Sequence, residues 1–410
     1  MDKWIKHLDQ DYGGQSKHLL NFYLLEEKNK IFEVLYSIFQ ISILIFQKFC
    51  IKRKLEEKNE YKTIIFSDTG GVNGAKTLNY YLKNFNIKNC LVVFPQKLDE
   101  EFSEKQSDIK FLKLQGFEKN KLGNDVNLSK NFLVNKPWWF KFIWYREVLL
   151  REKWGSWAES LIQNCKPRRI ILMNERMVAS STFLRKFKKE KIKIHILQHG
   201  NMVSNFFPTD ADIYWVWGKN YSNLVSRETR KKVKTKIIGI PKEKIDFGII
   251  PDKKNENKTI LFFSQKSGSS LSSKILDSSF SILKKYATEL DFNLLIKVHP
   301  NENLKKWKKI QNKNIQVVKT IPDKYLIFAA CSIYSTALID TARMKIPSFQ
   351  IFDKKFKKDI TRLLSNENIP KVVSLDEFKL FNKEISCPKN YEEFADSQSK
   401  SMKDYYEKTF

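Results

Sequence analysis

Short apolar runs alternate with helical segments from residue 63 to residue 352, and this alternation constrains the fold more than any other feature of the sequence. Nearly continuous apolar strands joined by helices are typical of parallel sheets that are covered on both faces. The sequence therefore predicts the α/β class, with doubly wound, Rossmann-like sheets. The predicted strands lie at 63–68, 90–95, 109–114, 168–175, 192–200, 212–218, 234–242, 259–265, 294–300, 315–320, 331–335 and 346–352.

Two domains are predicted, because 410 residues exceed one ordinary hydrophobic core. The stretch 246–258 is polar, carries Pro and Gly and lacks periodicity, so we place the interdomain linker there. The first Rossmann-like domain is predicted over 1–248 and the second over 249–385, with a terminal helix over 386–410. A cleft between the two domains would face both sets of strand ends.

The composition indicates a globular protein with anionic partners. Hydrophobic residues form 42% of the chain, and the formal charge is +28, from 74 Lys and Arg against 46 Asp and Glu. Such a charge suits phosphorylated substrates, nucleic acid or an acidic membrane surface. The sequence contains no aromatic-basic RNA motif, so no nucleic-acid partner is expected. The five cysteines have no CxxC spacing, and the first residues have no secretory h-region, so a cytoplasmic location and no metal are expected.

Residues 31–51 form an apolar run of membrane-spanning length that Glu33, Gln40 and Gln47 interrupt. Our main interpretation is a helix buried in the protein. The alternatives are a helix in the interface of an anionic membrane, which would place the protein on the inner face of the plasma membrane, and a true span. The aromatic segment 131–157 is predicted to be a helical packing face, or alternatively a platform for an acceptor sugar.

Polar residues end the predicted strands of the second domain, where ligands bind in open α/β sheets. His299 and Pro300 end one strand, and Ser335 and Thr336 end another at the start of a helix. Ser335 is either a simple helix cap or part of a phosphate site, and Asp340 lies one turn later, where it could accept bonds from ribose hydroxyls. The predicted donor-binding set is His299, Pro300, Ser335, Thr336, Asp340, Gln265, Lys266, Ser267 and Gly239.

Polar residues also end the strands of the first domain. His199 could remove a proton from an acceptor hydroxyl, and Glu175 could orient that histidine or act as the base itself. Asp210 and Asp212 have the DxD spacing of a metal site, but they begin a strand rather than end one. The predicted catalytic residues are His199, Glu175 and His299. The predicted acceptor-side residues are Gly70, Gly71, Gly200 and Asn201.

The segments LLIKVHPNE (294–302) and IPDKYLIFAACSIYSTALIDTARMKIPSFQIF (321–352) resemble bacterial nucleotide-activated transferases of the GT-B fold. The resemblance is to CDP-glycerol glycerophosphotransferases and to capsule or lipooligosaccharide sialyltransferases. It is strong over 294–352, weaker from 165, and absent from the first 160 residues. The matching residues are Tyr334, Ser335, Asp340, Lys345 and Pro347, with Thr336 for a second serine and Ile346 inserted.

By this resemblance, His299, Ser335 and Thr336 contact the donor phosphate and His199 is the base. Ile333 stands where the family has an acidic residue, and Gln198-His199 replaces the acidic pair of polysialyltransferases, which favours a histidine base over sialyl transfer.

The implied enzyme is an inverting, metal-independent glycosyltransferase without a cofactor. It would transfer a sugar or polyol phosphate from a nucleotide-activated donor, CMP or CDP rather than UDP or GDP, to a glycan or glycolipid in capsule, lipopolysaccharide or teichoic-acid-like polymer synthesis. The alternatives are a nucleotide-sugar 2-epimerase of the same fold and a basic protein that binds nucleic acid or a membrane surface without catalysis.

Overall fold

The structure of the chain is a computed structural model. The structure describes residues 27–53, 55, 59–68, 78, 81–82, 89–94, 109–115, 117–118, 137–175, 177–200, 202, 207–229, 232–239, 249–252, 258–266, 272–300, 302–344, 346–356, 371–372, 374 and 377. The predicted terminal helix over 386–410 and the positions Gly70, Gly71, Asn201, Ser267 and Lys345 lie outside these residues.

The first domain contains a seven-stranded parallel sheet. Its strands are β2 (Thr63–Phe66), β3 (Cys90–Phe94), β4 (Ile109–Lys113), β6 (Arg169–Leu172), β7 (Lys193–Leu197), β8 (Ile213–Val216) and β9 (Lys234–Ile237), and a separate parallel pair joins β1 (Lys52–Arg53) to β5 (Phe117–Glu118). The strand order is β4-β3-β2-β6-β7-β8-β9, so the direction of winding reverses between β2 and β6. Ligands bind in such sheets beyond the carboxyl ends of the strands at this reversal.

Helices pack on the first sheet and on one another. The helices described in this domain are α1 (Glu27–Cys50), α2 (Trp138–Cys165), α3 (Val178–Lys189) and α4 (Lys219–Glu228), and α1 packs against α2. Phe66 at the end of β2 stacks on Phe183 of α3 with 4.1 Å between ring centroids, and Trp154 of α2 meets Phe66 edge-on at 6.4 Å. Trp144, Trp154 and Trp157 of α2 are buried, so this part of the aromatic segment is a packing face, as predicted.

The second domain repeats this topology in a six-stranded parallel sheet. Its strands are β11 (Thr259–Phe263), β12 (Asn293–Lys297), β13 (Ile315–Val318), β15 (Ala329–Ser332), β16 (Ser348–Ile351) and β17 (Lys371–Val372), and its helices are α5 (Ser273–Glu289), α6 (Leu304–Lys308) and α7 (Ala337–Arg343). The order is β13-β12-β11-β15-β16-β17, so the winding reverses between β11 and β15. A short 3₁₀ turn spans Lys354–Phe356.

Two local helix predictions differ from the structure. The segment 323–329, predicted to be helical, contains strand β14 (Tyr325–Ile327). The predicted linker 246–258 contains strand β10 (Ile249–Pro251), which the sequence did not predict. The two strands pair in parallel, Ile249 with Tyr325 and Pro251 with Ile327, and this long-range pairing overrides the local composition. The helix predicted over 302–312 is confined to α6, after which Asn312 bridges to Ile315.

The main interpretation of segment 31–51 is also wrong, because α1 is not buried. Its large apolar side chains, among them Phe32, Phe39, Phe46 and Phe49, are mostly exposed. Among the described helices, α1 alone has the length and hydropathy that could cross a membrane. Only three of its described residues, Val34, Ser37 and Leu44, are fully buried.

Candidate functional site

Gln265 links the two central strand ends of the second domain. It is buried just beyond β11, and its Oε1 accepts the Tyr334 main-chain N–H at 3.0 Å and the Ser332 hydroxyl at 3.1 Å. The Ser332 hydroxyl also donates to the Phe263 carbonyl at 2.8 Å. Gln265 therefore holds the segment that begins at Tyr334, and its amide oxygen is occupied by hydrogen bonds within the protein.

His299 lies at the end of β12, as the sequence predicts, and its main chain is anchored by Ser264. The His299 N–H donates to Ser264 Oγ at 2.9 Å, and the Ser264 hydroxyl donates to Glu302. Burial lowers the pKa of His299, the Glu302 charge opposes this change, and the Lys297 and Lys266 charges reinforce it. Two lysines therefore contribute positive potential at this strand end, which suits a phosphate. Pro300 is exposed beside it.

Ser335 and Thr336 begin α7 and are both half-buried. Thr336 is the N-cap residue of α7 and makes no capping bond through its side chain, whereas Ser335 Oγ accepts the Ala337 N–H of the first turn at 3.2 Å. Asp340 lies one turn later on α7 and is buried. Burial raises the pKa of the Tyr221 phenol, and a hydrogen bond from Gln198 opposes this change. The charge of Asp340 raises the pKa further.

Gln198 plays the corresponding part in the first domain, although it is not among the site residues predicted from the sequence. It is buried just beyond β7, where its Oε1 accepts the Trp217 N–H at 2.8 Å and its Nε2 donates to the Gly200 carbonyl at 3.0 Å. Its own carbonyl accepts bonds from Tyr81 and from the Trp217 indole at 3.2 and 3.1 Å. The residues on both sides of His199 are therefore fixed.

His199 occupies the end of β7 between these two anchored residues. Burial lowers the pKa of its imidazole, and hydrogen bonds with the main chain of Met173 and Leu197 oppose that change without cancelling it. The net shift favours the neutral imidazole at neutral pH. A neutral imidazole is the form that can accept a proton.

The two sets of strand ends meet across the domain boundary. A β-carbon built on Gly200 would lie 4.0 Å from Thr336 Oγ1, which places the residue after His199 against the start of α7. Tyr221 of α4 and Asp340 of α7 also interact electrostatically across this boundary. The sequence predicted that both sets of strand ends face one cleft, and the structure brings Gly200 of the first domain close to Thr336 of the second.

Two buried carboxyl groups lie at the ends of β2 and β6. Glu175, a predicted catalytic residue, accepts the Asp210 main-chain N–H through Oε2 at 3.0 Å. Asp68 was not predicted, although it directly follows a buried apolar strand. Asn174 donates to Asp68 Oδ1 at 2.7 Å, and both the main chain and the hydroxyl of Ser180 donate to Oδ2.

Burial raises the pKa of Asp68 to about 6, and the bonds from Ser180 and Asn174 limit that rise. A folded-state pKa above the unfolded value means that the native protein binds the proton more tightly. Stability from this group is therefore complete below about pH 4 and is lost as pH rises through about 6. We expect the free energy of unfolding to fall by about 3 kcal/mol across this window, from a shift of about two units.

Urea denaturation at several pH values would measure this change. Asp68→Asn is the matched control, because its amide does not titrate, and the difference in unfolding free energy between the two proteins should vary between pH 4 and 6. A difference that is constant over that range would contradict the raised pKa of Asp68.

Gly239, a predicted donor-binding residue, and the DxD aspartates have identifiable structural roles. Gly239 has φ 75° beyond β9, a left-handed conformation that glycine adopts without strain. Asp212 accepts the Ile194 N–H at 2.8 Å, and Asp210 pairs with Lys188, so the DxD aspartates hold neighbouring elements. Within the described residues, no cluster of three or more His, Cys, Asp or Glu side chains could hold a metal ion.

No family model matches the chain, and no curated protein matches it. Solved structures do match. A crystal structure of Arabidopsis thaliana UGT89C1 complexed with UDP-L-rhamnose has a TM-score of 0.50 and 9% identity, with 85% of this chain and 96% of that chain covered. The lipopolysaccharide outer core galactosyltransferase WaaB in its apo form has a TM-score of 0.47 and 12% identity over 84% and 96%. The UDP-GlcNAc 2-epimerase of Methanocaldococcus jannaschii, with UDP-GlcNAc and UDP, has a TM-score of 0.47 and 13% identity over 84% and 98%.

The match to the Arabidopsis protein shows the fold alone. Together with the two parallel sheets of Rossmann-type strand order, it confirms the predicted architecture of two doubly wound domains, the GT-B fold.

Proposed function

We propose that this protein is a transferase that moves a sugar or polyol phosphate from a nucleotide-activated donor to an acceptor hydroxyl. The observation that carries the proposal is the approach of Gly200 to Thr336, 4.0 Å from a built β-carbon to Oγ1. It brings the residue that follows His199, a histidine of lowered pKa, close to the start of α7 in the second domain. A proton acceptor and a phosphate-binding surface are the two parts that an inverting transfer needs.

In this mechanism the second domain holds the donor. His299, with Lys266 and Lys297 nearby, and the hydroxyl of Thr336 bind the phosphate groups and offset the charge that develops on the leaving nucleotide. Asp340 binds the ribose hydroxyls, and Gln265 acts by holding the Tyr334–Thr336 segment. A CMP or CDP donor is the expected type, on the basis of the sequence resemblance.

The first domain holds the acceptor. His199 accepts the proton of the acceptor hydroxyl as its oxygen attacks the donor, the bond to the nucleotide phosphate breaks with inversion, and no metal takes part. Glu175 supports this edge of the sheet through its bond to Asp210. The acceptor is a glycan or glycolipid of a surface polymer such as capsule, lipopolysaccharide or a teichoic-acid-like chain, and the protein acts in the cytoplasm.

Replacing His299 with alanine should weaken nucleotide binding about 10-fold or more, because a hydrogen bond to a charged group contributes about 1.5–3 kcal/mol. Titration calorimetry against CMP, CDP, UDP and GDP would measure this change and identify the base. Lys306→Ala, which removes an exposed lysine paired with Asp277, should bind like the wild type. Equal affinities for the wild type and His299→Ala would contradict the phosphate site.

The alternative activity, a nucleotide-sugar 2-epimerase of the same fold, differs from the proposed transferase in its products. Incubation with a nucleotide sugar and no acceptor would give an epimer from an epimerase, and at most slow hydrolysis from a transferase. A clear yield of epimer would overturn the proposed transfer.

A further inference from the structure

Helix α1 has its apolar side chains on the outside. Phe32, Phe39, Phe46 and Phe49 are each between 58 and 73% exposed. The other exposed apolar side chains of α1 are Ile31, Leu35, Tyr36, Ile38 and Ile45. A helix on the surface of a water-soluble domain normally presents the opposite arrangement, with its apolar stripe toward the core.

The polar side chains of α1 face the protein instead. Gln47 accepts a bond from Lys153 of α2 at 3.0 Å, and Lys48 pairs with Glu152 at 2.7 Å. Near the other end, Glu33 pairs with Arg146 at 3.5 Å. Every described acidic or basic side chain of α1 between 31 and 50 is therefore satisfied by α2, and the outer face has almost no charge.

The first turns of α2 extend the same surface. Trp138, Phe142 and Tyr145 are 67, 37 and 51% exposed, and Lys141 is exposed among them. The rings of Trp138 and Phe142 meet edge-on with centroids 6.1 Å apart. We call these three aromatic residues, together with the exposed apolar side chains of α1, the α1–α2 surface.

The chemistry of this surface favours lipid over protein. Contiguous exposed apolar surface of this extent indicates a membrane or protein partner. Aromatic residues with lysines at the border are typical of helices that lie in the interfacial layer of a bilayer. Lys28 and Lys30 occupy the first turn of α1, and the chain carries +28, which is complementary to anionic headgroups.

A full crossing of the bilayer does not fit this arrangement. The ion pairs between α1 and α2 would have to enter the hydrocarbon layer, and α2 carries Arg146, Glu147, Arg151, Glu152 and Lys153 on adjacent turns. Charged groups at that depth cost several kcal/mol each. The charges of α2 lie on the protein side of α1, so only the outer face of α1 can enter lipid.

We propose that the α1–α2 surface binds in the plane of an anionic bilayer, with the phenylalanines of α1 in the boundary between headgroups and acyl chains. The helix α2 continues from Trp138 to Trp154, about 24 Å along its axis, where Trp154 contacts Phe66 at the end of β2. The surface is thus rigidly connected to the first domain. The nature of the acceptor rests on the proposed function: for a transferase bound in this way, the acceptor is a lipid-linked glycan presented at that bilayer.

The test uses the full chain and two sets of vesicles, phosphatidylcholine alone and phosphatidylcholine with 30% phosphatidylglycerol, in a co-sedimentation assay. We expect binding to the anionic vesicles, and at least 100-fold weaker binding for the triple variant Phe32→Ser, Phe39→Ser, Phe46→Ser. Because these side chains are exposed, the variant should fold. The matched control is Ile237→Ser with Ile250→Ser, which changes exposed apolar residues elsewhere and should bind like the wild type.

Three results would overturn the inference. The first is a wild-type protein that does not sediment with anionic vesicles. The second is a protein that stays with the vesicles after an alkaline carbonate wash, which indicates a membrane span. The third is a wild-type dimer in analytical ultracentrifugation that is absent in the triple variant. Nucleotide affinity, measured on the same preparations, separates this inference from the proposed function. Nucleotide binding without vesicle binding would contradict the membrane-binding inference but leave the proposed function standing. Vesicle binding without nucleotide binding would contradict the proposed function but leave the membrane-binding inference standing.

Discussion

Replacing His199 with alanine is expected to lower the rate of transfer at least 100-fold while nucleotide affinity stays unchanged. The reason is that a positioned general base contributes about 10²–10⁴ in rate. His199 lies in the first domain, whereas the second domain holds the donor in the proposed mechanism. Release of free nucleotide from the donor, in the presence of an acceptor extract, would measure the rate. Calorimetry would measure the affinity.

The pH dependence of the same reaction gives an independent check. A general base acts when deprotonated, so the rate should fall as pH drops through the pKa of His199. Burial holds that pKa below its usual 6.5, and the rate should therefore be nearly independent of pH above 7. Transfer that survives the substitution, or an affinity loss as large as the rate loss, would contradict the role of His199 as the base.

Replacing Gln198 with alanine is expected to reduce both stability and turnover. The substitution leaves the buried Trp217 N–H and the Gly200 carbonyl without their partners, and each orphaned group costs about 1–3 kcal/mol. Urea denaturation should show a loss of about 2–4 kcal/mol. Turnover should fall because the main chain on both sides of His199 loses this anchor.

Gln265→Ala is the matched comparison, because it removes an equivalent amide that accepts the Tyr334 N–H in the second domain. It should cost a similar stability but weaken nucleotide binding, with the pH–rate profile unchanged. If both glutamines had only a structural role, rate and affinity would change in the same way in both variants. That result would contradict the assignment of each glutamine to its own half of the site.

The agreement between sequence and structure is greatest where the physics is local. The apolar runs at β11 and β12 form strands because continuous Ile, Leu and Phe side chains are stable when both faces of a sheet are covered, and polar residues such as His299 must then mark the strand ends. The strands β10 and β14 were not predicted because their stability comes from pairing with each other. The paired residues Ile249 and Tyr325 are 76 positions apart in the sequence, so no local pattern reveals the pairing.

The sequence by itself determined the two doubly wound domains and the polar strand ends at His199, His299 and Ser335, because hydrophobic periodicity and polar interruptions are properties of neighbouring residues. The tertiary structure alone decided which of these ends meet, since the approach of Gly200 to Thr336 depends on how two domains pack. It also decided the outer face of α1. An apolar run has the same composition in a core or on a surface, and only the pairing of Glu33, Gln47 and Lys48 with α2 leaves its phenylalanines outside.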